Sequence, residues 1–148
     1  MPRFRMRQLA VVAVAALAIP ITATPASAAS YEQTCFVPGD FGDLFSAKGS
    51  GSWDWAGKYD LKPVEMSLTD MASDGHHVAI RLVTKRANGA NTGWTWRHNY
   101  DGKGRTITYG TYAHDAAGIL GGYFEVAAYE GSRQLNSCTT NYAKNPSW

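Results

Sequence analysis

Two histidines stand side by side, His76 and His77, behind an Asp74-Gly75 turn in the stretch ASDGHHVAIRLVTKR, residues 72–86. Paired imidazoles raise two chemistries, metal ligation and general base catalysis. The residues that follow alternate apolar and polar, as in a β-strand, where successive side chains point to opposite faces, so adjacent rings cannot grip one ion. The histidines therefore read as the start of a strand, packing at a sheet edge or capping turn backbone, and a metal site would need His98 or His114 from elsewhere in the fold. Asp70, Asp74 and Gly75 fall at the first, fifth and sixth positions of a calcium loop, but Ala72 and Arg81 occupy the third and twelfth, where an EF-hand needs ligands. No metal or cofactor is expected.

Serine chemistry fares no better, because GSGS at 49–52 lacks the spacing of a Gly-x-Ser-x-Gly elbow and has no helical pattern behind it. Glycoside hydrolysis needs two facing carboxylates. Glu65, Asp70, Asp115 and Glu125 are candidates, yet a chain with 12 acidic residues offers such pairs by composition alone. No glycine loop for phosphate and no dinucleotide fingerprint is present. The sequence singles out no catalytic residue.

Aromatic residues are the enrichment that speaks for binding: Trp53-Asp54-Trp55, Trp94-Thr95-Trp96, Trp148 and eight tyrosines. On a strand, residues two apart share a face at about 6.6 Å, so each Trp-x-Trp pair makes a two-rung ladder. Such a ladder stacks on sugar rings or anchors a protein partner. The competing account places both pairs in the core, with Ser52, Asp54, Thr95 and Arg97 on the wet side. Trp148 is either a strap across a sheet or a free anchor.

The elements that must position these residues are strands. Val64, Met66 and Leu68 alternate with polar neighbours, Val78, Ile80 and Leu82 form one face of the next run, and Trp94, Trp96, His98 and Tyr100 form one face of another. The Asp101-Gly102-Lys103-Gly104 turn precedes a strand near Arg105 to Ala113, residues 114–122 form a longer connection or one helical turn, and a strand runs from Tyr123 to Tyr129. A last element near Gln134 to Tyr142 holds Cys138, and one or two strands lie between Cys35 and Tyr59. About seven or eight antiparallel strands predict an all-β sandwich or barrel-like domain.

The N-terminus carries Arg3, Arg5 and Arg7, then an apolar run from Leu9 to Ile21, then ATPASA. This is the layout of a secretory signal peptide with cleavage expected after Ala28, and the Pro20-interrupted run is short for a membrane span of about 20 residues. The arginines are not adjacent, and Cys35 lacks a lipidation context, so the general secretory route is expected to deliver a soluble, extracellular product. Of the 148 residues, a 28-residue leader leaves 120, a single domain spanning 29–148. Without the three leader arginines, the 14 basic residues fall to 11 against 12 acidic ones, and the net charge of −1 removes the case for nucleic acid. Outside the cell, the pair Cys35 and Cys138 reads as one disulfide joining the ends of the domain.

From DMASDGHHVAIRL through WTWRHNYDGKG to YEGSRQLNSC, the chain resembles a group of uncharacterised small secreted actinobacterial proteins that combine a DGHHV strand start, a W-x-W-R strand and a late cysteine. The resemblance covers most of residues 60–140. It implies an exported, disulfide-linked β domain and transfers no catalytic or binding residue. The sequence thus predicts a secreted, non-catalytic binding or interaction module, for a carbohydrate or a protein partner through Trp53, Trp55, Trp94, Trp96 or Trp148. The alternative is a secreted enzyme or an enzyme inhibitor.

Overall fold

The computed structural model describes residues 32–40 and 42–148. The expected signal peptide lies outside these residues. The alternation read from the sequence becomes ten strands: β1 Gln33–Pro38, β2 Phe45–Trp55, β3 Asp60–Asp70, β4 His77–Arg86, β5 Asn91–Gly93, β6 Arg97–Asn99, β7 Thr106–His114, β8 Ile119–Glu130, β9 Arg133–Thr139 and β10 Ala143–Lys144. Three of them, β5, β6 and β10, are only two or three residues long, too short to announce themselves by periodicity. All pairings are antiparallel.

Two sheets face each other as a β-sandwich. One sheet has the order β1-β2-β3-β7. The second is centred on β8 and β4, with β9 and β10 sharing the outer edge of β8, and β5 and β6 sharing that of β4. Val64, Met66 and Leu68 on β3 and Val78, Ile80 and Leu82 on β4 are buried between them, as their alternation predicted. Burying such a side chain is worth about 1.5–3 kcal/mol, so these two faces alone outweigh any single polar contact in holding the sheets together.

The GSGS stretch has a packing role. Gly49 and Gly51 face inward from β2, where a Cβ at Gly51 would lie 2.5 Å from the Phe124 ring and one at Gly49 would collide with Val126. Their missing side chains let β8 approach, while Ser50 and Ser52 point to the opposite face. Phe124 in turn meets Trp53 edge to face, with ring centroids 5.0 Å apart.

Cys35 on β1 and Cys138 on β9 form the disulfide expected from the sequence, across a sequence separation of 103 residues. Bonds of this kind belong to oxidising, non-cytoplasmic surroundings. Among the described residues, no helix is long and apolar enough to cross a membrane.

Two local expectations are corrected. Residues 119–122 are not a connection but the first part of β8, because Gly121 and Gly122 pair with Lys144 and Ala143 and leave room for Tyr142. Segment 94–100 does not keep one face: residues 94–96 break the strand, so Trp94 packs against the core while Trp96 lies on the outer surface. Asn99, which the same alternation sets on the face opposite His98 and Tyr100, is fully buried; its amide donates to the carbonyls of Leu68 and Arg105 at 3.2 and 2.9 Å, and its Oδ1 accepts from the Asp101 amide.

Candidate functional site

The outer face of the β4–β8 sheet gathers the side chains whose types drew attention in the sequence. Cross-strand partners share a face. The pairs His77 with Tyr129, Ala79 with Ala127 and Arg81 with Glu125 therefore stand in three consecutive rows, and His98 joins the middle row opposite Ala79. The alanines leave a low floor, and Trp96 crosses it: its ring meets Tyr129 edge to face at 5.8 Å and carries the Arg81 guanidinium 4.4 Å above its centroid. Arg81 is held from the other side by Glu125, with Nε donating to Oε2 at 2.8 Å and Nη2 at 2.6 Å. At Gly93 a Cβ would come within 2.8 Å of Arg81 Nη1, so this glycine leaves the guanidinium its place.

Four rings pile up beside Trp96. His77 stacks on Tyr129 at 5.4 Å with 14° between planes, and Tyr100 lies over His77 at 4.5 Å and over His98 at 5.6 Å. His77 and His98 are themselves 5.1 Å apart. Tyr100 is 70% exposed and forms the outward tip of the pile. Tyr109 reaches up from β7 and donates its hydroxyl hydrogen to the His98 carbonyl at 2.5 Å, which ties the platform to the other sheet. Burial, reinforced by the nearby His98 and His76, holds the His77 imidazole below the ordinary histidine range, and burial pushes the Tyr129 hydroxyl up. His98 Nδ1 is buried with no hydrogen-bond partner among the described residues.

The remaining sequence candidates separate. His76 lies in the turn just before β4, so strand alternation does not govern it; its amide donates to Asp74 Oδ1 at 2.9 Å and its Nδ1 lies 3.1 Å from Oδ2. His114 pairs with Asp60 at 2.9 Å on another part of the surface. Among the described residues, no three His, Cys, Asp or Glu side chains converge as metal ligands. The four acids scatter: Glu125 is bound to Arg81, Asp115 to Arg86 at 2.7 Å, Asp70 is buried with its Oδ1 accepting from the Ala72 amide, and Glu65 faces outward from the other sheet. Compared with protein-family models, curated proteins and solved structures, the chain matches none.

The tryptophans divide between core and surface. Trp53 is 1% exposed and Trp55 7%, which withdraws both from any ligand ladder and assigns them to the core. Trp94 is largely inside, its indole N–H donating to Thr84 Oγ1 at 3.1 Å. Trp148 straps the Gly118 turn, where a Cβ would lie 2.6 Å from its ring, and Lys58 Nζ sits 4.7 Å over it. Of the five, Trp96 alone belongs to the platform. Sequence reasoning set His98 and Tyr100 on one face with Trp96 but missed His77, Tyr129 and Arg81 as its companions, although the alternation of β4 and β8 already placed these three off the core face.

Proposed function

We propose that this chain is an exported, non-catalytic binding module that takes a carbohydrate on the aromatic platform of the β4–β8 sheet. The observation that carries the reading is the ring pile itself: a tip tyrosine 70% exposed, stacked on His98, tilted over His77 and bordered by a tryptophan and an ion pair. A pyranose ring has one face of C–H bonds and a rim of hydroxyls. Flat π-faces meet the first, and planar donors and acceptors such as the Arg81–Glu125 pair meet the second. Glu125 spends its carboxylate on Arg81, which suits holding a sugar rather than attacking one. Export rests on the arginine-led apolar leader, and the disulfide agrees with it.

A glycan array followed by titration calorimetry tests the reading. Tyr100→Ala is expected to weaken glycan binding by roughly tenfold, the loss of one aromatic contact worth about 0.5–1.5 kcal/mol beyond its buried area, while the melting temperature falls by no more than about 5 °C because Tyr100 is mostly exposed. A protein that retains no glycan, or one whose glycan affinity is indifferent to Tyr100, refutes it.

A further inference from the structure

On the side of the sandwich opposite the disulfide, the sheets are not closed by strand pairing. β7 ends its sheet, and no backbone hydrogen bond of residues 106–113 reaches beyond β3 among the described residues. Its sequence, TITYGTYAH, has no lysine and no proline, the usual devices that blunt an edge. Between this edge and the Trp94–Arg97 segment lies a crevice of about 70 Å³ lined by Met66, Leu82, Trp94, Arg97, Thr111 and Tyr112. Its floor is apolar. Arg97 at its rim makes no ion pair or hydrogen bond among the described residues, in contrast to Arg81 and Arg86.

From these features we infer that β7 and the crevice together bind the carboxyl-terminal tail of an extended peptide, with a small branched apolar side chain as its last residue. An added strand would satisfy the free amides and carbonyls of β7, the mode of recognition by strand addition. Thr111 pairs with the buried Val64 and so faces the interior of the sandwich. A residue laid opposite Thr111 shares that face, and its side chain enters the crevice against Met66, Leu82 and Trp94. The volume selects size: it is half of the ~150 Å³ that accommodates benzene, enough for an isopropyl or isobutyl group and too little for an aromatic ring. Arg97 selects charge, because an unpaired guanidinium at the mouth of an apolar slot matches a carboxylate in a two-pronged hydrogen bond. The site lies off the aromatic platform and does not depend on the carbohydrate reading.

The probes are a synthetic hexapeptide ending in valine with a free carboxylate, the same peptide amidated, the same peptide ending in phenylalanine, and isovalerate alone. Binding is read from the change in total tryptophan fluorescence, Trp94 being the tryptophan that lines the crevice, and from hydrogen exchange of the β7 amides. The free acid is expected to bind and to slow exchange along residues 106–113. Amidation, or Arg97→Gln with the free acid, should each weaken binding roughly 10- to 100-fold, the range of one charged hydrogen bond, and Arg97→Gln should abolish the preference for acid over amide. Equal binding of acid and amide, unchanged β7 exchange, a preference for phenylalanine, or isovalerate binding as tightly as the peptide would each overturn the assignment.

Discussion

His77 shows how one residue links the platform to the pH of its surroundings. Its ring is covered by Tyr100, His98 and Tyr129, and burial holds its imidazole below the ordinary range. The unfolded chain, with an ordinary histidine near 6.5, therefore binds more protons than the folded one as pH falls past that value. Stability conferred by the neutral ring is complete above about 6.5 and is lost as pH drops through the depressed folded value. Melting temperature followed from pH 7.5 to 5 is expected to fall, and His77→Phe, which keeps a flat ring in the stack, should flatten the decline. Parallel curves for the two proteins would assign the loss to other groups.

At the scale of elements, sequence and structure agree where the inward face of a strand is a run of large apolar residues. The alternation of β3 and β4 was legible because those inward residues have no other place to go, even though Ala79 and Val83 on the other face of β4 are buried as well. It misled at 94–100, where the break at residues 94–96 sends Trp94 and Trp96 to opposite sides, and at Asn99, whose burial depends on carbonyls of β3 and of the following turn, remote in sequence or not yet placed. Glycines misled for a related reason. Gly121 and Gly122 read as part of a connection, and Gly49 and Gly51 gave no sign of a packing role, whereas each fits a neighbour that only the assembled sandwich supplies. Gly51→Val makes this measurable: its Cβ would meet the Phe124 ring at 2.5 Å and the Glu65 carbonyl at 2.7 Å, and a loss of at least about 1–3 kcal/mol is expected in urea unfolding, the usual cost of overpacking. Gly110→Val on β7, where a Cβ meets nothing within 4 Å, should change stability by less than about 0.5 kcal/mol. Equal losses at the two positions would mean that strand propensity, not the approach of β8, decides the glycine.

The whole molecule is closed differently along its two sides. On one, Cys35 and Cys138 bridge the edge strands β1 and β9, and Asn136 adds a hydrogen bond to Asp40 at 2.9 Å. On the other, side chains alone cross the gap, Tyr109 to the His98 carbonyl and Asn99 to Leu68, and the crevice remains. For a loop of about 100 residues, chain entropy predicts about 4.7 kcal/mol from the cross-link, with measured values commonly between 2 and 5. A domain of this size is stable by only about 5–15 kcal/mol, so the bond is a substantial share of what holds it folded. Reduction, or the Cys35→Ser/Cys138→Ser double variant, is expected to lower the melting temperature by roughly 8–20 °C. Because the bond acts mainly on the unfolded chain, the reduced protein at low temperature should keep its platform intact, with Trp96 still resting on Arg81 and Tyr100 still on His77. A reduced protein that melts within about 2 °C of the oxidised one would show instead that the buried faces of β3, β4 and β8 close the sandwich unaided, and that the staple guards the edges against exchange rather than the fold against heat.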